Sequence, residues 1–287
     1  METEDRILAC VDQSRFAEFV ADYASWAAMR LKLPLEFLHI IDRQEGNPAV
    51  RDRSGALGID TREALLNTLS EADEARSRSA REQGRLFLTG LRERAMAAGV
   101  QTADIRQRHG ELLQTLQEQQ QNVELFVLGR RGESAEITQR DLGRHVESMV
   151  RSLDKPILTV SQAFREPRQV LIAFDGSAVT RKGVQMVAEG SLFTGLPIHV
   201  LMSGKSRADG ERQLHWARER LEAGGFEAHV EMIPGDPESV IARTILERDI
   251  DMLVMGAYGH SPIRTLLFGS KTADLLRSAS IPTLLMR

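Results

Sequence analysis

The stretch Arg6-Ile7-Leu8-Ala9-Cys10-Val11-Asp12-Gln13-Ser14 is answered further along by Gln169-Val170-Leu171-Ile172-Ala173-Phe174-Asp175-Gly176-Ser177. Each reads as a buried strand ending in Asp-x-Ser, and the correspondence extends in both directions. Leu33-Pro34-Leu35-Glu36-Phe37-Leu38-His39 matches Leu196-Pro197-Ile198-His199-Val200-Leu201-Met202, and Gly110-Glu111 matches Gly235-Asp236. Glu124–Gly129 then pairs with Asp251–Gly256, and Lys155–Val160 with Ile281–Met286. The order is preserved, so the chain is two copies of one unit.

Within each copy, short apolar runs alternate with longer amphipathic stretches such as Phe16–Leu31 and Val179–Phe193. That alternation is the mark of β-α-β units in a parallel sheet. The expected fold class is α/β, two tandem doubly wound parallel-sheet domains spanning 1–163 and 167–287. The boundary falls near Gln162–Pro167, where polar residues and a proline follow the last strand of the first copy. A length of 287 residues agrees, because domains cluster near roughly 100–150 residues, and it leads us to expect one core per copy.

Composition excludes several classes. The chain is 42% hydrophobic and 27% charged, which rules out collagen-like or wholly disordered protein. A net charge of −4 supplies no global basic field for nucleic acid or an anionic membrane. The single cysteine, Cys10, excludes an intrachain disulfide framework and fits a reducing, cytoplasmic compartment. No apolar run approaches the roughly 20 residues of a membrane helix.

The copies differ in length between the strand-one Asp and the fourth-strand Gly. That span is 117 residues in the first copy and 81 in the second. The excess precedes Gly110 and comprises a loop at Arg43–Asp60 and a charged helical stretch at Thr61–Met96. A solvated helix covering one sheet face is the simplest account.

In an open parallel sheet, ligands bind beyond the C-terminal strand ends. There the second copy carries Gly256-Ala257-Tyr258-Gly259, nine residues from His260 to Phe268, then Gly269-Ser270 opening a helix at Ser270–Ser278. The spacing is G-x2-G-x9-G-S. Glycines let backbone amides approach a phosphate chain, and a helix N-terminus offers unpaired N–H donors. For Asp175 alone, a helix N-cap role is an equally good account.

On these residues both halves resemble the universal stress protein family, and the whole chain resembles a tandem member with five-stranded Rossmann-type domains. The resemblance implies ATP, with or without Mg2+, bound in the second copy by Asp175, Gly256, Gly259, Gly269 and Ser270. Ala173, Phe174 and Met255 would contribute backbone or walls, and His260, Arg264 and Lys271 charge near phosphate. It also implies that the last strands, Ile157–Val160 and Thr283–Met286, join the copies as an internal pseudo-dimer, with homodimerisation left open.

The first copy departs from the motif. Gly129-Arg130-Arg131-Gly132 is followed by ten residues before Gly143-Arg144. The spacing and the Ser are lost, although Asp12 is retained and Arg130, Arg131 and Arg144 keep positive charge available for an anion. One nucleotide site, in the second copy, is expected.

Catalytic signatures are missing: no Gly-x-Ser-x-Gly elbow and no H-E-x-x-H occur. Gly269-Ser270-Lys271-Thr272 is not a P-loop, because Ser270 and Thr265 stand where that motif needs glycine. The seven histidines show no metal-ligand spacing. No catalytic residue is assigned, and slow ATP hydrolysis stays open if Asp175 or His260 orients a water. The expected function is a nucleotide-dependent stress regulator acting on a protein partner. The rival readings are a scaffold without nucleotide and a weak ATPase.

Overall fold

The computed structural model describes residues 5–41, 59–130, 144–204, 209–257 and 281–287, with side chains from 78 onward in the second segment and from 148 onward in the third. In the first half, β1 (Arg6–Cys10), α1 (Ala17–Leu31), β2 (Leu35–Ile41), α2 (Ile59–Ala97), β3 (Ala103–His109), α3 (Leu112–Gln119), β4 (Val123–Gly129), α4 (Arg144–Ser152) and β5 (Ile157–Val160) follow one another. In the second half come β6 (Val170–Ala173), α5 (Ala178–Glu189), β7 (Ile198–Gly204), α6 (Gly210–Ala223), β8 (Ala228–Pro234), α7 (Pro237–Glu247), β9 (Met252–Gly256) and β10 (Thr283–Met286). The helix expected at Ser270–Ser278 lies outside the described residues.

Among the described residues, ten strands form one sheet in the order β3-β2-β1-β4-β5-β10-β9-β6-β7-β8. Neighbours are parallel except at the centre, where β5 and β10 run antiparallel with Leu158 opposite Leu284. Thr159 Oγ1 adds a 3.1 Å bond to the Thr283 carbonyl across this joint. The two last strands thus join the halves about a pseudo-two-fold axis, as the resemblance implied.

The core is divided differently from the expectation of one per copy. A parallel strand is covered on both faces, so alternate residues feed opposite layers. Ile7 and Ala9 of β1 pack in one layer with Val170 and Ile172 of β6, beneath α1, α2, α5 and α6. Leu8 and Leu171 belong to the other, with buried residues of α3, α4 and α7. Each layer crosses both halves, because joining β5 to β10 makes the two sheets one surface. Leu8, Leu171, Leu158 and Leu284 are each 0% exposed; truncating such a side chain costs about 2–5 kcal/mol.

The long inserted stretch forms α2, and the amphipathic account holds for its described end. Leu88, Leu91 and Ala95 are buried against the sheet, while Arg85 and Leu86 face solvent. In the second half α6 takes the equivalent place with 14 residues against the 39 of α2.

Candidate functional site

The second half follows the strand order β10-β9-β6-β7-β8, so the chain reverses direction in the sheet between β6 and β9. Ala173 pairs with Met255 in register there, which puts the segment after β6 beside the end of β9. Asp175 and Gly256 both lie at this switch point, the position where open α/β sheets offer a crevice.

The loop after β6 is held by its own short side chains. Asp175 Oδ1 accepts from the Ser177 amide at 2.9 Å and from the Thr180 hydroxyl at 2.8 Å. Gly176, at φ +75°, supplies the left-handed turn residue between them. Ser177 is the N-cap of α5, its Oγ accepting from the Thr180 amide at 3.4 Å. The cap role therefore belongs to Ser177 rather than to Asp175. Asp175 instead holds an Asx-type turn and presents an exposed residue at the sheet edge.

Gly256 is required by packing. A Cβ there would lie 3.0 Å from Val179 Cγ1 and 3.1 Å from Thr180 Cγ2. Thr180 thus touches both halves of the crevice, bonding Asp175 through its hydroxyl and closing on Gly256 through its methyl. Sequence reasoning missed Thr180; the only signal was a hydroxyl five residues beyond Asp175, on the inward face of an amphipathic helix.

The remaining assigned residues divide into two groups. Ala173 is part-buried and paired on both sides, Phe174 packs in the α5/α6 layer, and Met255 packs in the opposite one. Phe174 and Met255 have their side chains committed to packing, and the sheet engages their backbones: the Phe174 amide donates to the Leu201 carbonyl at 2.9 Å, and Met255 pairs in register with Ala173 and Leu285. Phe174 also stacks on Trp216 at 6.4 Å between ring centroids, and Arg181 lies 4.3 Å over the Trp216 ring. Trp216 is consequently an optical reporter beside the Asp175 loop. Gly259, His260, Arg264, Gly269, Ser270 and Lys271 lie outside the described residues.

The corresponding edge of the first half is arranged otherwise. Asp12 Oδ1 accepts from the Ser14 amide at 3.2 Å and the Ser14 hydroxyl at 2.5 Å, preserving the turn. Arg130, in the position of Ala257, is buried, and its guanidinium donates to the Ile281 carbonyl and, at 3.3 Å, to Thr283 Oγ1. It ties the first half to β10, which corrects its assignment as charge waiting for an anion. Burial, followed by the nearby Glu36 charge, pushes the Cys10 thiol up, as suits an inert packing residue.

Comparison with known proteins agrees with this geometry. The family model described as "Universal stress protein family" matches residues 4–161 and 202–287. The chain belongs to the universal stress protein family. Universal stress protein Slr1230 of Synechocystis sp. is 35% identical over 284 residues, covering 98% of this chain and 99% of the relative. A solved universal stress protein from Archaeoglobus fulgidus covers 100% of this chain and 99% of its own, at TM-score 0.71 and 18% identity. A putative universal stress protein from Pseudomonas aeruginosa covers 98% of this chain and 93% of its own, at TM-score 0.58 and 18% identity. These likenesses extend the universal stress protein fold over both halves. Among the described residues no helix is long and apolar enough to cross a membrane.

Proposed function

We propose that this universal stress protein is a cytoplasmic regulator that binds one adenine nucleotide, ATP in the first instance, at the β6–β9 switch point of its second half. The supporting observation is the convergence of Asp175 and Gly256 on Thr180, at the strand ends from which the G-x2-G-x9-G-S sequence departs. The residues fit such a ligand. The exposed Asp175 carboxylate can accept from ribose hydroxyl or base amino donors in addition to its turn bonds, and the N-terminus of α5 can offer backbone N–H groups to phosphates. ATP, if bound with Mg2+, would add a charged phosphate chain whose presence a partner protein can sense.

The test is to denature the protein as purified, then identify and count the released small molecules by chromatography and mass spectrometry. About one adenine nucleotide per chain is expected, and a loaded protein carrying Asp175→Asn should hold less. Asn can accept the same two turn hydrogen bonds, so the urea midpoint should move little while affinity falls about ten-fold, the scale of one charge-assisted hydrogen bond. Two equivalents per chain would overturn the one-site reading. No binding of added ATP, ADP, AMP or cAMP would leave the scaffold reading, which the first half's occupied edge favours.

A further inference from the structure

The pseudo-two-fold axis at β5 and β10 should generate two equivalent grooves, one on each side of the joint, on the face carrying α1 and α5. Their walls correspond residue by residue. Tyr23 and Met186 each stand 11 residues after the strand-end aspartate, and Glu124 and Asp251 each five before the strand-end glycine. Pro156 and Pro282 each precede the paired Leu158 and Leu284 by two.

One groove is filled by the connection between the halves. Phe164 lies edge-on to Tyr23 at 4.9 Å between centroids. The Arg165 amide donates to the Tyr23 hydroxyl at 3.2 Å, and Arg165 Nε pairs with Asp251 Oδ1 at 3.2 Å. The amides of Arg168 and Gln169 complete the cover by donating to Asp251 Oδ2 at 2.9 and 3.2 Å. Tyr23 is 0% exposed and the Asp251 side chain 2% as a result.

The other groove is open. It is a solvent-connected groove between Leu31, Glu124 and Pro156 of the first half and Met186, Phe193 and Leu284 of the second. The Glu124 side chain is 46% exposed, with Lys155 Nζ 3.8 Å away, beyond hydrogen-bonding distance. A single connection between halves can lie in only one of two grooves, and among the described residues no segment lies in the second seat.

We propose that this vacant groove docks an extended segment of a partner protein bearing an aromatic residue followed directly by arginine. The aromatic ring enters the apolar floor beside Met186, as Phe164 does beside Tyr23. The arginine pairs with Glu124, as Arg165 does with Asp251. The occupied groove is the template for the occupant, and the carboxylate at the rim of each supplies the matching charge. This surface is separate from the nucleotide crevice: it opens beside the start of β4, the residue before β5 and the C-terminal part of α5, whereas the crevice lies beyond the C-terminal ends of β6 and β9.

The probe is a peptide with the sequence of the connection itself, Ser161–Arg168. It is titrated into the full-length protein while the ε-methyl resonance of Met186 is followed by NMR. The tether gives the native segment an effective concentration in the millimolar range, so the titration runs to about 5 mM. Saturable movement of the Met186 methyl is expected. Protein carrying Glu124→Lys should raise the peptide Kd about three- to five-fold, the scale of a solvent-accessible ion pair. A peptide carrying Arg165→Glu should bind that variant better than it binds the native protein. A peptide carrying Phe164→Ala should fail to saturate.

Three outcomes overturn the proposal. One is no saturable shift over the titration, and another is binding indifferent to Glu124→Lys. The third is a Met186 shift that depends on protein concentration without peptide, which would assign the groove to a second copy of this chain.

Discussion

Arg130 and Ala257 occupy the same place in the two halves, one residue beyond the glycine that ends the fourth strand of each, and their amides bond the equivalent carbonyls of Val160 and Met286, each at 2.7 Å. Identical backbone therefore supports opposite uses. In the first half the side chain turns into the joint and holds Ile281 and Thr283. In the second half the Ala257 methyl is buried in the layer that holds α3, α4 and α7. The contrast teaches that a repeat can place a fastening side chain in one copy and omit it from the other without altering the sheet.

The buried polar clusters show the same division. On the β1–β3 side, Glu36 sits between Arg6 at 2.8 Å and Arg106 at 2.6 Å. In register with Glu36, the second half has His199, which contacts Gln169 at 3.1 Å and Arg248 at 3.2 Å and stacks on His229 at 5.1 Å. Glu231 completes it by pairing with Arg248 at 2.7 Å. One cluster is built on a carboxylate between two guanidinium groups, whereas the other has an imidazole in the carboxylate's place.

The strongest way to break the comparison is Arg130→Met. Removing a buried cation that donates to two oxygens leaves the Ile281 carbonyl without that donor, so unfolding free energy should fall by about 3 kcal/mol. Urea denaturation measures it; a loss below about 1 kcal/mol would mean Arg130 fills space rather than fastening the halves.

Next in size is the pH response of His199. Arginine can only donate, so His199 Nδ1 must accept from Arg248 while Nε2–H donates to Gln169. Burial first, then the charges of Arg248 and His229, lower the His199 pKa, against a smaller opposing effect of Glu231 and Glu227. A proton is therefore bound more readily in the unfolded chain. This group's contribution is complete above its ordinary value of about 6.5 and is lost as pH falls through the lower folded value. Urea midpoints of wild type should fall from pH 7 to pH 5 by more than those of His199→Gln, and parallel curves would remove His199 as the cause.

The smallest effect sharpens the comparison by making the copies more alike. Lys32 caps α1 in the left-handed region at φ 56°, where the second half has Gly195 at φ 79°. Lys32→Gly should raise stability by about 0.5–1 kcal/mol, since glycine carries no Cβ penalty there. Thermal denaturation would detect it, and a loss would show that the lysine side chain makes a compensating contact.

Much of this architecture was legible because parallel strands announce themselves. The runs at Ile7–Ala9 and Val170–Ile172 are continuous and apolar, since both faces are covered, and Asp-x-Ser marks where each chain turns into a helix. The placing of Asp175 and Gly256 at neighbouring strand ends followed from strand order, once the repeat fixed which runs were first and fourth. What sequence withheld were contacts set by the joint. The direction of Arg130 depends on β10 lying alongside β5, and nothing local to Gly129-Arg130-Arg131 distinguishes a fastener from an anion ligand. The cover of Tyr23 by Phe164 and Arg165 is equally non-local. The division of the core by face escaped as well, because hydrophobic periodicity reveals that a strand is buried but not which neighbouring strands share its layer.

The antiparallel pairing of β5 with β10 also bears on how such a chain can diverge. In a symmetric homodimer every substitution at the two-fold axis appears twice and must tolerate its own image. Here the two sides of the axis are encoded separately, so Tyr23 can differ from Met186 and Arg130 from Ala257 without each change confronting its duplicate. Placing the dyad inside one polypeptide frees the interface from self-complementarity, and each side becomes an independent substrate for selection.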